Sequence, residues 1–225
     1  MASQLTLDLP GTELAHERLG PGAVLLRGFA IADQQALLAA LGSVVAAAPF
    51  RHMITPGGFR MSVGMTNCGS LGWVSEPSGY RYAEQDPDSG RAWPALPSPF
   101  HNLATAAAAQ AGFTDFVPDA CLVNRYEPGA RLTLHQDKNE RDFAAPIVSV
   151  SLGLPAVFLF GGATRGQRPM RVPLVHGDVL VWGGPDRLRY HGVLALKDGH
   201  HPRLGPHRIN LTFRRAGLPG ANPKA

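Results

Sequence analysis

The chain has 225 residues, of which 44% are hydrophobic and 17% charged, so it suits one globular domain with a core of its own and is not a disordered chain. Its 26 Gly and 20 Pro, spread along the sequence, favour many short elements over a helical bundle. The net charge of +4 is compatible with a polyanionic partner, and the two cysteines, far apart in sequence, exclude a disulfide framework or a zinc ribbon.

The N-terminal part of the chain predicts one strand and one helix. We expect residues 1–20 and the tail after Gly217 to be loosely tethered ends. A strand is predicted over residues 23–29, and Asp33 is expected to cap a helix that ends at Pro49. No basic segment leads into an apolar stretch, and no apolar run approaches the roughly 18–20 residues that span a bilayer. We therefore expect a cytoplasmic protein without a membrane partner.

A Gly-, Met- and aromatic-rich segment separates this helix from a second one. The second helix is predicted to have Ser98 as its cap, Pro99 in its first turn and Gly112 at its end. Residues 50–94, which precede it, predict hairpins and loops of the kind that form a mobile cover over a functional site.

Seven short apolar segments follow one another from Asp119 to residue 215, with turn signals and no helix between them. Such a series is typical of an antiparallel sandwich or barrel. We therefore predict a mostly β fold with flanking helices (α+β), in which a jelly roll is backed by the N-terminal helices. The whole of residues 1–225 is expected to form one domain, with residues 119–215 as its jelly-roll core.

Two His-x-Asp patterns compete as a metal site. His135 and Asp137 follow a half-buried strand, so both side chains point to one face at a strand end. His176 and Asp178 instead stand at a Gly-Asp turn that enters an apolar strand, which favours a structural role. His191, after the next strand and a short loop, is the candidate third ligand to the first pair.

Two imidazoles and one carboxylate leave three positions open on an octahedral ion. This suits non-haem Fe(II), which must bind both a co-substrate and O₂. A zinc hydrolase could use similar ligands, so the three residues alone do not choose the metal.

The last predicted strand carries a polar face that calls for an anion. Alternation over residues 207–215 separates an apolar face from a polar one with two guanidiniums and an amide, which would be costly in a barrel interior without an anion. A dicarboxylate would satisfy it through paired, charge-assisted hydrogen bonds. The alternative is the solvent face of an edge strand. The polar face comprises Arg208, Asn210, Thr212 and Arg214, and the strand at 121–126 offers Leu122, Asn124 and Tyr126 on one face.

Five segments together resemble the AlkB family of Fe(II)/2-oxoglutarate-dependent dioxygenases, from about residue 22 to residue 217. They read PFRHMITPGGFRMSVGMTNCG, NRYEPGARLTLHQDKNE, SVSLGLPAVFLFGG, HGDVLVWGGPDRLRYHGV and RINLTFR. The ordered set is far more specific than any one of its motifs. The resemblance implies a double-stranded β-helix, with residues 50–94 as an N-terminal nucleotide-binding lid.

The resemblance also implies roles for particular residues. It assigns iron to His135, Asp137 and His191, with Arg214 in the same catalytic set. For 2-oxoglutarate it implies Leu122, Asn124, Tyr126, Arg208, Asn210 and Arg214. For the substrate it implies Trp73 as a stacking aromatic, together with Tyr80, Tyr82, Asn139 and Arg165.

The activity that this family implies is oxidative demethylation of N-alkylated nucleobases such as 1-methyladenine and 3-methylcytosine, coupled to decarboxylation of 2-oxoglutarate and release of formaldehyde. The expected substrate is single-stranded DNA, with RNA or flipped bases of duplex DNA as further options. The enzyme is expected to be a monomer. Asn139 stands where the family has an acidic residue, which leaves the preferred base open. Two other classes stay open: an oxygenase of the same fold acting on a small molecule or protein side chain, and a non-catalytic binding module.

Overall fold

The computed structural model describes residues 16–217, which form two facing antiparallel sheets, a separate hairpin and two helices. The predicted jelly roll with flanking helices is confirmed. The strands of the first half are β1 (His16–Gly20), β2 (Ala23–Leu26), β3 (Gly64–Gly69), β4 (Gly72–Glu76) and β5 (Gly79–Ala83). Those of the second half are β6 (Ala120–Tyr126), β7 (Leu132–His135), β8 (Ile147–Gly153), β9 (Ala156–Phe160), β10 (Met170–Leu174), β11 (Val179–Trp182), β12 (His191–Val193) and β13 (Arg208–Arg214). The helices are α1 (Gln34–Ala47) and α2 (Ser98–Gln110).

The larger sheet has seven strands in the order β1-β2-β11-β8-β13-β6-β3, and the smaller one has four in the order β10-β9-β12-β7. Because β1, β2 and β3 belong to the larger sheet, the β core extends beyond residues 119–215. The hairpin β4–β5 forms a sheet of its own directly after β3.

Alternating side chains of the larger sheet build two apolar layers. Ile209, Leu211 and Phe213 of β13 face α1 and α2 and pack with their apolar residues. On the other side, Trp182 of β11 packs between the sheets against residues of the smaller one, such as Phe158. The predicted division of β13 into an apolar and a polar face is therefore confirmed, and the polar face is turned into the space between the sheets.

The N-terminal end of the described chain is more ordered than its sequence indicates. Residues 16–20 fall within the segment expected to be loose, yet they form β1 and pair with β2. Arg27, directly after β2, donates to Glu17 of β1 at 2.8 Å and so links the two strands at this edge of the sheet. A polar edge strand lacks the apolar alternation that identifies strands, which is why the prediction was wrong here. The expectations for residues 1–15 and 218–225 lie outside the described residues.

Residues 50–94 are not uniformly a cover. All six residues of β3 are buried, and this strand pairs with β6 along its whole length, with Met65 opposite Asn124 and Cys68 opposite Cys121. The prediction of a mobile segment is therefore wrong for β3, because its backbone belongs to the main sheet. Hairpin β4–β5 and the loops around it are the parts that lie over the space between the sheets.

The helix boundaries agree with the sequence, whereas the capping residues do not. Asp33 occupies the N-cap position of α1, but its side chain makes no capping hydrogen bond. Helix α2 begins at Ser98 itself, with Pro97 as the N-cap residue. Gly112 has a φ of +93°, as the prediction of a glycine after the helix requires. In residues 16–217 no helix is both long enough and apolar enough to span a membrane.

Candidate active site

A cavity of about 640 Å³ opens between the two sheets beneath hairpin β4–β5. The hairpin contributes Trp73 and Tyr80, and both sheets contribute polar side chains. Most of the predicted site residues meet here: Trp73, Tyr80, Leu122, Asn124, Tyr126, His135, Asp137, Asn139, His191, Arg208, Asn210 and Arg214.

His135, Asp137 and His191 converge at the end of the smaller sheet. His135 ends β7 and His191 begins the neighbouring strand β12, where the two are paired in register. Asp137 lies 3.7 Å from the Nε2 atom of each histidine. One potential ligand atom from each of the three residues lies within 4.8 Å of the others, so the group could hold a metal ion.

Gly192 allows the two histidine strands to approach this closely. A Cβ atom at this position would lie 2.7 Å from the backbone oxygen of Leu132 on the neighbouring strand. Only glycine fits without moving the strands apart, and that movement would separate His191 from His135.

Backbone hydrogen bonds prepare both imidazoles for a metal. The Nδ1 atom of His135 is 2.8 Å from the carbonyl of Thr133, and that of His191 is 3.0 Å from the carbonyl of Arg189. A carbonyl only accepts, so Nδ1 carries the proton in each ring and Nε2 presents its lone pair. Both lone pairs belong to the atoms that face Asp137.

The protonation states of the group also suit a cation. Burial opposes the charge of Asp137, but Arg214 and the two histidines outweigh it and hold the pKa of this carboxyl well below its usual range. Burial, followed by repulsion from His135, lowers the pKa of His191 to about 4. At neutral pH the carboxyl is ionised and His191 is neutral, as metal ligation requires.

Arg214 lies on the polar face of β13, as predicted, but its guanidinium is engaged by carboxylates of the protein. Its Nε and Nη2 atoms donate to Asp137 Oδ2 at 2.9 and 2.5 Å, and Nε is 3.1 Å from Glu140. Burial opposes the charge, yet the carboxylates of Asp137 and Glu140 raise the pKa of Arg214 above its ordinary value. The structure therefore places Arg214 beside the candidate metal ligand.

Arg208, at the other end of β13, has two guanidinium nitrogens that make no hydrogen bond within the described residues. It is 1% exposed and donates from Nη2 to Ser151 at 3.0 Å, while Nε and Nη1 find no partner among residues 16–217. Its guanidinium lies over the ring of Tyr126, 4.9 Å from the ring centre. Burial lowers the pKa of Arg208, but an arginine stays charged in proteins. A buried cation with two free donors facing a cavity fits a carboxylate ligand.

The amides between these arginines extend the polar surface. Asn210 and Asn124 are opposite each other on β13 and β6, and the Asn124 amide donates to Asn210 Oδ1 at 3.3 Å. Asn210 in turn donates to Ser149 at 2.8 Å, which orients its amide. The side-chain oxygen of Asn124 has no partner within the described part of the chain. Together with Arg208 and Tyr126, these groups suit a small dicarboxylate such as 2-oxoglutarate.

Trp73 and Tyr80 form an aromatic pair at the mouth of the cavity. Their rings are stacked, with centres 5.2 Å apart and planes 16° apart. Asn139 joins this pair to the segment that follows β7: it accepts from Trp73 Nε1 at 3.3 Å and donates to the Tyr80 carbonyl at 3.3 Å. The Asn139 amide therefore holds the hairpin against this segment.

Two of the predicted substrate residues lie elsewhere. Tyr82 lies opposite Trp73 in the hairpin but does not line the cavity, and it donates its hydroxyl to Glu140 at 2.8 Å. Burial raises the pKa of this tyrosine, so the hydroxyl keeps the proton that it donates. Arg165 is exposed in the turn between β9 and β10 and does not line the cavity.

Several residues of the site could not be predicted from the sequence. Glu140 is buried between Arg214 and Arg187, but it stands in a polar run whose sequence predicts exposure. Arg187 binds mostly backbone carbonyls, which no side-chain pattern reveals. Alternation could have placed Phe158 and Trp182, each with its ring about 5–6 Å from that of His191, on the inner faces of their strands.

The second His-x-Asp pattern is a structural turn, as predicted. Asp178 accepts from the backbone of Gly28 and Val175 at 3.0 and 2.9 Å, and from Arg27 at 2.7 Å. His176 accepts from the backbone of Gly153 at 2.9 Å. Every one of these partners is structural.

Comparison with known proteins gives a consistent picture. The family described as the 2OG-Fe(II) oxygenase superfamily matches residues 22–214. The chain is 57% identical over 211 residues to the alpha-ketoglutarate-dependent dioxygenase AlkB of Salmonella typhimurium, covering 93% of this chain and 98% of that protein. It is 56% identical over 202 residues to AlkB of Escherichia coli strain K12, covering 90% of this chain and 94% of that protein. The solved structure of OsALKBH1 matches with a TM-score of 0.78 and 30% identity, covering 89% of this chain and 100% of that one.

Proposed function

This chain belongs to the AlkB family of 2OG-Fe(II) oxygenases, and from that membership we propose that it repairs N-alkylated nucleobases in single-stranded DNA by oxidative demethylation. As a member it is an Fe(II)- and 2-oxoglutarate-dependent dioxygenase. One observation supports a nucleobase as the substrate. The candidate metal ligands and Arg208, whose Nε and Nη1 have no partner among residues 16–217, line the same cavity, and the Trp73–Tyr80 pair lies at its mouth.

In the proposed assignment, His135, Asp137 and His191 hold iron. Leu122, Asn124, Tyr126, Arg208 and Asn210 hold 2-oxoglutarate. Arg208 binds a carboxylate through the two nitrogens that lack a partner, and Tyr126 packs beneath its guanidinium. Arg214 orients the Asp137 carboxylate from the sheet that also binds the co-substrate.

Bound iron and 2-oxoglutarate supply the activation of O₂. In the overall reaction, 2-oxoglutarate becomes succinate and CO₂, one oxygen atom enters succinate and the other hydroxylates the N-methyl group. The hydroxymethyl product then loses formaldehyde and leaves the repaired base. The protein binds, orients and shields these reactants.

The pairing edge of a base is accessible only when the base is unpaired or flipped. In our proposal the target base lies between Trp73, which Tyr80 supports from one side, and His135, which is 39% exposed. Base–aromatic stacking contributes roughly 1–3 kcal/mol. Tyr82 and Arg165 are assigned to the substrate only by resemblance, with Tyr82 acting through Glu140.

We also propose that the enzyme acts as a monomer in the cytoplasm. One chain supplies all of the candidate groups around the cavity. Cys68 and Cys121 face each other in register on β3 and β6, and both are free thiols, which suits a reducing compartment.

Formaldehyde release from a methylated single-stranded oligonucleotide tests this proposal. Fe(II), 2-oxoglutarate and O₂ are supplied together and then omitted one at a time. We expect product only with all three, and an unmethylated oligonucleotide is the control. Turnover without 2-oxoglutarate, or turnover confined to a small molecule or a protein side chain, would contradict it. Parallel assays with methylated RNA and duplex DNA rank the nucleic-acid substrates.

A further inference from the structure

The candidate carboxylate ligand lies on a segment that has no regular secondary structure. Residues 136–146 connect β7 to β8 as an irregular loop, which we call the metal loop, and it carries Asp137, Asn139 and Glu140. No strand ladder fixes the backbone of this loop within the described chain. The position of Asp137 therefore depends on side chains that bind the loop from outside.

Arg187 binds the metal loop at three points. Its Nε donates to the carbonyl of Ala145 at 3.1 Å, and its Nη1 donates to the carbonyl of Asp137 at 2.9 Å. Its Nη2 lies 3.3 Å from the Glu140 carboxylate. The first two contacts are hydrogen bonds and the third is an ion pair without hydrogen-bond geometry. The residue is 3% exposed.

Arg187 lies on the segment that leads to His191, the candidate ligand on β12. Arg187 directly follows the 3-10 turn Gly184–Asp186 and precedes His191 by four residues. Its side chain therefore ties the segment that leads to one candidate ligand to the loop that carries another. A second contact joins the same segments, because Gln136 donates to the carbonyl of Leu188 at 2.6 Å.

Charge balance around Asp137 leads to the same residue. The buried carboxylates Asp137 and Glu140 are matched by Arg214, which contacts both, and by Arg187, which is 3.3 Å from Glu140. Without Arg187, a single guanidinium would serve two buried carboxylates. Arg214 would then be drawn toward Glu140 and would hold Asp137 less firmly.

We infer that Arg187 is a positioning residue that sets the Asp137 carboxylate for metal binding. It acts through the backbone of the metal loop and through Glu140, and it touches neither the substrate nor the co-substrate. Groups that orient metal ligands from outside typically affect metal affinity by roughly 10- to 100-fold. This inference rests on the metal ligands proposed above.

The test measures metal affinity without turnover. Co(II) is titrated into the metal-free protein and followed by its visible absorption, for the parent chain and for Arg187→Lys. Lysine keeps the charge but cannot reach three separate acceptors from one planar group. We expect Co(II) binding to weaken roughly 10-fold or more, with an altered absorption spectrum.

Arg27→Lys is the matched control. Arg27 also binds carboxylates and a backbone carbonyl, those of Glu17, Asp178 and Pro173, but it does so away from the cavity. This variant should lose thermal stability and keep its Co(II) affinity within about twofold. The inference is wrong if folded Arg187→Lys binds Co(II) as tightly as the parent chain, or if Arg27→Lys weakens binding equally. If Arg187→Lys does not fold, Glu140→Gln, which removes the same ion pair from the other side, is judged by the same criterion.

Asp137→Ala separates this inference from the ligand assignment. We expect that variant to lose the Co(II) spectrum. Retention of normal binding by Asp137→Ala would overturn the ligand set itself. Loss in Asp137→Ala alongside normal binding in Arg187→Lys would overturn only the role of Arg187.

Discussion

Asp137 and Asp178 each follow a histidine by two residues, yet their surroundings differ. Asp178 accepts from two backbone amides and one arginine, which all belong to the turn and its neighbours. Asp137 faces one arginine and two imidazole nitrogens, which have no hydrogen-bond partner among residues 16–217. The same short pattern therefore serves the fold at Asp178, whereas at Asp137 its surroundings suit the metal site that we propose.

Replacement of each aspartate should separate these roles. We expect Asp178→Ala to lower the free energy of unfolding by on the order of 3 kcal/mol, because three donors lose a buried acceptor. Its formaldehyde release per folded molecule should remain, whereas that of Asp137→Ala should be abolished. Urea unfolding and turnover at a temperature where both variants are folded measure the two effects. An Asp178→Ala protein that is as stable as the parent chain but inactive would reverse the assignment.

Trp73→Ala should weaken substrate use selectively. Loss of stacking worth about 1–3 kcal/mol raises the KM for a methylated oligonucleotide by roughly 5- to 150-fold. Trp73→Phe keeps an aromatic face and loses only the hydrogen bond to Asn139, so it should retain most of the affinity. Metal and 2-oxoglutarate binding are measured in both variants. If Trp73→Ala loses these as well, Trp73 is a core residue and not a platform for the base.

At the scale of the elements, the sequence predicts best where side chains alternate regularly. The two faces of strand β13 could be predicted because its alternate residues, Ile209, Leu211 and Phe213, are all apolar. Strand β1 was missed because its sequence is polar and its order comes from pairing with β2. Strand β3 was predicted to belong to the cover for a similar reason. Its glycines and its asparagine are not typical of a buried strand, although all six of its residues are buried in the main sheet.

The metal loop shows a different limit. Its residues follow no period, and its position is fixed by the contacts of Arg187 and Gln136 with backbone carbonyls. A sequence reports which side chains exist, but it does not report which carbonyl lies within their reach. The candidate ligands could therefore be proposed from the His-x-Asp pattern and the family resemblance, whereas the groups that hold the loop could not.

At the scale of the whole molecule, a histidine pair away from the cavity makes stability depend on pH. The rings of His176 and His201 are stacked with their centres 4.4 Å apart, and His176 accepts a hydrogen bond from the backbone of Gly153. Burial, followed by the nearby His201 and Arg203, lowers the pKa of His176. The folded state thus disfavours a proton that the unfolded chain accepts near pH 6.5.

Stability should therefore fall as the pH is lowered from about 6.5. The contribution is fully present above the unfolded pKa and is lost as the pH falls through the lower pKa of the folded state. His176→Asn keeps an acceptor for Gly153 and removes the titrating group, so its unfolding free energy should decline less between pH 7.5 and pH 5. Urea unfolding of the metal-free proteins at both pH values gives the comparison. Equal declines in the two proteins would mean that other groups carry the effect.

The residues that we propose to bind iron and 2-oxoglutarate are distributed over both sheets. The smaller sheet carries His135 and His191, the larger one carries Arg208 and Asn210, and Arg214 reaches across to Asp137. A chain whose sheets have come apart therefore keeps its metal-binding strands and its dicarboxylate-binding strands at a distance from each other. Under the proposed assignment such a chain has no complete site, so oxidation of 2-oxoglutarate can begin only once the sandwich has assembled.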